Sequence, residues 1–206
     1  MKPPYAMPQM NRSRVFPRTL TKQRGVAAIE FALVAPVFFL IFFGIVEVAR
    51  AMYICNTLQE VTRRAAALAV KTDFSVATAM NQVREKAIFR DTPGGLFFAE
   101  PITDQHVKID YLYIPSTVNA GQSMGGVLPA SPLANRVNCS TNPNASNCIR
   151  LVRVRICMPG GGSDSCDPVT YQSLVSFVPL PFPLPIATTI APVETLGLPP
   201  GMPCGC

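Results

Sequence analysis

The chain has 206 residues, enough for one modest domain with appendages and too few for two full domains. Its formal charge is +6, but Lys2, Arg12, Arg14, Arg18, Lys22 and Arg24 supply all of that excess before Gly25, and the remainder sums to zero. A folded domain here has no spare basic face, which excludes nucleic acid as a partner.

Residues 1–24 mix Pro, Met, Arg and Gln without apolar periodicity and are expected to be disordered. Basic residues directly before an apolar run put this end in the cytoplasm by the positive-inside rule. Phe31 to Val46 is a run of sixteen uncharged residues. At ~1.5 Å per residue that run spans about 24 Å, short of a ~30 Å hydrocarbon core, so the helix is extended to Val26 and Ala49. Residues 26–49 are therefore assigned as a transmembrane helix, bent locally at Pro36, which lacks a backbone donor. Glu30 lies near its start and Glu47 near its end. Glu47 and Arg50, about one turn apart, are expected to pair at the outer membrane boundary.

Beyond the bilayer, Ala51, Ile54, Leu58, Val61, Ala65 and Leu68 recur at steps of three and four, one helical stripe. The membrane helix should run on as an amphipathic helix to about Val70. A second helix is expected from about Ser75 to Phe89 with Asp73 as N-cap, completing a helical extension over residues 50–90. After the helix-breaking "DTPGG", residues 91–206 read as a β-rich domain. "HVKIDYLYI" and "RLVRVRIC" alternate apolar and polar residues, and "TYQSLVSFV" and "IATTIAPVETL" are further β-rich runs. Pro115 to Asn147 reads as a long loop, and "VPLPFPLPI" as an extended connector or edge.

Six of the seven cysteines, Cys139, Cys148, Cys157, Cys166, Cys204 and Cys206, lie in this domain, which points to an oxidising compartment and disulfides. Cys157 with Cys166 and Cys139 with Cys148 are the easy local pairings, although the spacing leaves connectivity open. Cys204 and Cys206 can close on each other or bond another chain. Cys55 is a buried small hydrophobe or an intermolecular bridge. A zinc site is the competing reading of the cysteines, but no C-x-x-C occurs and the single histidine, His106, is distant in sequence, so no metal is expected. There is no glycine-rich phosphate loop leading into a helix and no nucleophile–base arrangement; His106 reads as a solvated strand residue. Neither catalysis nor a cofactor is expected.

The opening stretch carries a resemblance. A basic leader, Gly25, four small or apolar residues, then Glu30 and Phe31 at the head of a long apolar helix resemble the processing signal of type IV prepilins. "GVAAIEFALVAPVFFLIFFGIVEVAR" with "NTLQEVTRRAAALAV" is similar, more narrowly, to TadE-type pseudopilins of the tight-adherence (Flp pilus) system. The likeness covers residues 24–70 and extends weakly to "VRVRIC" and "VPLPFPLPIATTIAPVE"; the cysteine-rich loop is not part of it. It implies that a prepilin peptidase cleaves Gly25–Val26, removing residues 1–25. The new Val26 ammonium would then pair with Glu30 of its own or a neighbouring subunit, where an unpaired charge is costly. Ala27, Ala28 and Gly44 leave room for close helix packing. The implied place is the bacterial inner membrane, single-pass, with the C-terminal domain periplasmic. The implied partners are the membrane, the peptidase, other pilins and pseudopilins, and the Tad assembly-platform proteins.

Two alternatives stay open on the residues alone. One is an uncleaved monotopic inner-membrane protein with a periplasmic disulfide-bonded binding domain, in which Glu30 is favoured by the helix dipole. The other is a secretory signal peptide cut at Ala49-Arg50-Ala51, although the stripe running through Leu68 favours one uninterrupted helix. The expected fold class is α+β: a long N-terminal helix whose outer half packs on a small antiparallel sheet closed by disulfides.

Overall fold

The computed structural model describes residues 25–125, 127–162, 164–175 and 181–198. The chain divides into two compact units, residues 1–39 and 40–206, and one helix, α1 (Val26–Ala69), carries the backbone through both. Its 44 residues measure about 66 Å at ~1.5 Å rise per residue. It is long and apolar enough to cross a bilayer, and none of the residues in its most apolar window is buried. In the first unit the helix runs through Pro36 and exposes Phe31, Leu33, Val34 and Val37. So continuous an apolar surface calls for lipid or another helix around it.

The second unit is built on the outer half of α1. Ile54, Leu58, Val61 and Ala65 are fully buried, with Ala51 and Leu68 partly so, as the stripe requires. The helix ends at Ala69, and Leu196 N–H caps it by donating to the Val70 carbonyl at 3.1 Å. The adjoining Gly197 has φ +87°, and a Cβ there would stand 2.7 Å from the Asp73 nitrogen, so this crossing requires glycine. The second helix, α2 (Ala77–Ala87), is shorter than its sequence suggests. Asp73 does not cap it; its carboxylate accepts from the Ser75 N–H and hydroxyl at 2.8 and 2.7 Å, forming a local turn, and Val76 holds the N-cap position.

The sheet has four strands, β1 (Val107–Tyr113), β2 (Gln122–Ser123), β3 (Leu151–Ile156) and β4 (Thr188–Pro192), in the antiparallel order β2-β1-β3-β4. Tyr111 stands opposite Val152 and Ile109 opposite Val154, so Val107, Ile109 and Tyr111 share one face with Val152, Val154 and Ile156. That face joins Ile54, Leu58 and Val61 of α1 and Met80 and Val83 of α2 in one hydrophobic core. The Thr189 hydroxyl donates to that of Thr62 at 2.9 Å, tying β4 to α1. The expected α+β class, with a long helix on a small antiparallel sheet, is what the chain adopts.

Two details depart from the sequence reading. The Pro115–Asn147 stretch is not simply loop: it holds β2 and a third helix, α3 (Pro132–Thr141), whose N-cap Ser131 accepts from the Ala134 N–H at 3.1 Å. The "TYQSLVSFV" run forms no regular strand among its described residues; Thr170 makes an isolated bridge with Pro183. The proline-alternating segment lies alongside it, with Tyr171 N–H donating to the Phe182 carbonyl at 2.9 Å and Leu184 N–H to that of Val169 at 2.8 Å. Residues 1–24, residues 176–180 and the Cys204–Cys206 pair belong to expectations that lie outside the described residues.

Candidate functional site

Two places carry the residues singled out by the sequence, one at the start of α1 and one in the part of α1 that belongs to the second unit. At the start, Gly25 occupies a turn whose carbonyl accepts from the Ile29 N–H at 3.3 Å, and Val26 is the first helical residue. A Cβ at Gly25 would meet no atom within 4 Å, so folding places no demand for glycine there. Glu30 and Phe31 are both exposed, and among the described residues no hydrogen bond or ion pair engages Glu30. Glu30 is four residues beyond Val26, which puts the carboxylate on the face of the first turn where Val26 sits. A cation developed at the Val26 nitrogen would lie within reach of it.

At the other place Glu47 is fully buried. The Tyr171 hydroxyl donates to its Oε2 at 2.5 Å and the Val175 N–H to its Oε1 at 2.7 Å. Arg50, one turn on, donates from Nη1 to the Gln172 carbonyl at 2.6 Å and to the Tyr171 hydroxyl at 3.2 Å, and from Nε to the Phe98 carbonyl at 3.0 Å. Its guanidinium also lies 5.3 Å from the centroid of the Tyr171 ring, which stacks on Phe182 at 4.9 Å. Glu47 and Arg50 are therefore brought together, but through Tyr171; a direct ion pair between them is not among the salt bridges of the described residues. Burial, and next the hydrogen bond to Glu47, push the Tyr171 hydroxyl above its ordinary value, which keeps it a donor. The arrangement is mechanical rather than chemical: it clamps α1 to a segment more than a hundred residues away in sequence. Tyr171 carries no local signal of this role, since only the fold brings it to Glu47.

The outer face of the sheet is polar and closed by a disulfide. Asp110, opposite Arg153, accepts from Arg155 Nη2 at 2.6 Å and from Arg153 Nε at 3.3 Å. Lys108 on the same face donates to the carbonyls of Gly162 and Ser165, within the loop that the Cys157–Cys166 bond closes. A second disulfide, Cys139–Cys148, ties α3 to the approach to β3. Cys55 is free and half-buried. His106 is not a solvated strand residue: it is buried in a 3-10 turn (Asp104–His106), where its Nδ1 accepts from the Thr103 N–H at 3.0 Å. Burial holds its imidazole below the ordinary value. Among the described residues no cluster of His, Cys, Asp and Glu is arranged to hold a metal ion.

The family model described as "TadE-like protein" matches residues 25–67, the segment from Gly25 through the buried stripe of α1. The resemblance read from the sequence holds over that segment. No curated protein and no solved structure matches the chain.

Proposed function

We propose that this chain is a minor pseudopilin that assists assembly of Flp-type pili in the tight-adherence system, processed at Gly25–Val26. The TadE-like match of residues 25–67 supports a pilus-related role, and the geometry around Gly25 carries the finer reading. The folded chain leaves open space beside Gly25, so a requirement for glycine there belongs to an external reader, and a peptidase that cuts after it is such a reader. Cleavage converts the Val26 amide into an ammonium at the head of an apolar helix. Glu30, exposed and unengaged among the described residues, supplies the counter-charge in the same subunit or in a neighbour displaced along a filament. In hydrocarbon such a pair attracts strongly, and either charge alone is expensive. The pairing thereby favours registered, side-by-side helices over a solitary cleaved anchor.

In this reading α1 holds the chain in the inner membrane, and the disulfide-bonded second unit stands in the periplasm to meet other pilus components. The partners are the prepilin peptidase, pilins and pseudopilins, and the assembly platform. Glu30→Ala tests the role of the carboxylate: processing should continue while surface pili are lost. Wild-type pilus output from processed Glu30→Ala protein would overturn it.

A further inference from the structure

Within the second unit, Leu40, Ile41, Phe42 and Ile45 expose an apolar helical surface, and Arg50 is the first cation beyond them. The backbone that reaches the helix at this level is unusually apolar. Phe98 is held by its carbonyl to Arg50 Nε, and Leu174 immediately precedes Val175, whose N–H binds Glu47. Yet the side chains of Phe97, Phe98 and Leu174 are 73%, 60% and 63% exposed. The two rings stand edge to face at 4.3 Å, and Phe98 has φ +55°, a left-handed conformation costly for a bulky residue, on a turn that leaves its ring outside the core. Arg50, Arg90 and Glu100 line the same cleft.

We propose that the Phe97–Phe98 turn and Leu174 form a lipid-contacting surface that seats the second unit in the headgroup region of the bilayer crossed by α1. The proposal rests on that crossing and on no part of the pilus reading. Continuity selects lipid as the occupant: these side chains flank the turn of α1 that includes Glu47 and Arg50, where the apolar helix surface gives way to charge. Aromatic and aliphatic side chains beside guanidinium groups suit the boundary between acyl chains and phosphates. The Arg50 and Arg90 side chains supply the cationic rim, and Glu100 is the acid among the described residues that line the cleft. The clamp of Glu47 and Arg50 on residues 171–175 fixes the height of the surface.

The chain contains no tryptophan, so one introduced indole reports a single position. The full chain is reconstituted in phosphatidylcholine–phosphatidylglycerol vesicles with and without acyl-chain-brominated lipid. Phe98→Trp and Leu174→Trp should each lose emission by at least about twofold in brominated vesicles, as interfacial indoles do. Val137→Trp on α3, which does not line that cleft, should be little affected, and Phe42→Trp in the apolar part of α1 should be strongly quenched. Adding Phe97→Asp and Phe98→Asp to the Leu174→Trp chain should relieve its quenching. If Phe42→Trp is quenched while Phe98→Trp and Leu174→Trp behave like Val137→Trp, the surface faces water or a protein and the proposal fails with the span intact. If Phe42→Trp escapes quenching as well, the span and the proposal fail together.

Discussion

Tyr171→Phe isolates the clamp, within the second unit, between α1 and residues 171–175. The substitution deletes one oxygen that donates to Glu47 Oε2 at 2.5 Å and accepts from Arg50 Nη1 at 3.2 Å. The ring remains stacked on Phe182 and beneath the Arg50 guanidinium, so little packing is lost. Glu47 stays buried and keeps its backbone donors at Val175, 2.7 Å away, and Leu174. A hydrogen bond to a charged partner contributes about 1.5–3 kcal/mol. For a chain of this size that shifts the melting midpoint by roughly 3–12 °C. The assay is urea or thermal unfolding of the detergent-solubilised chain, followed by circular dichroism, with a double-mutant cycle to Glu47→Gln. The two substitutions should be less than additive by about 1 kcal/mol or more, because Glu47→Gln removes the charge of the acceptor and Tyr171→Phe removes the donor of the same bond. Stability unchanged within ~0.5 kcal/mol, or strict additivity in the cycle, would refute the clamp.

Other expectations follow from single contacts. Replacing Cys157 and Cys166 together by Ser opens a loop of sequence separation 9; loop-closure entropy puts the loss at about 2–3 kcal/mol, read as a lower urea midpoint. His106 is held below its ordinary 6.5 by burial. The unfolded chain therefore takes up a proton first as pH falls, so this contribution is full above pH 6.5 and declines as pH drops through 6.5 towards the folded value. Urea midpoints between about pH 7.5 and 5 should show that decline, and His106→Asn, which keeps an acceptor for Thr103, should flatten it. Gly25→Ala should leave the urea midpoint unchanged, since a methyl there meets no neighbour within 4 Å, yet yield unprocessed protein on a gel. Normal processing of that variant would remove glycine from the recognition signal.

The elements legible in the sequence are those whose burial is one-sided. Ile54, Leu58, Val61 and Ala65 face one core, so the helical period survives into composition, and β1 and β3 alternate because one face joins α1 and α2 in that core. The helix α3 hid inside a polar stretch of Asn, Ser and Thr, although Ser131 before Pro132 is a start signal. The strand β2 has two residues, too few to carry a period. Asp73 satisfied the composition of an N-cap but spent its carboxylate on Ser75. At the site, Glu47 and Arg50 stood out as an ion pair by spacing, whereas Tyr171, which joins them, is visible only once the chain has folded back on α1. Likewise His106 looked solvated because the Thr103 contact that buries it depends on a tight turn. Glu30 and Gly25 are the reverse case: among the described residues nothing gives them an internal task, and their pattern is read as pointing outward.

The most direct test is the N-terminal residue of the protein purified from the cell envelope, determined by sequencing or by the mass of the intact chain. Processing after Gly25 predicts a chain beginning at Val26. A chain beginning at Met1 would leave Glu30 without its new ammonium and contradict the pseudopilin account. One beginning at Met52 would sever α1 at the clamp and contradict it as well.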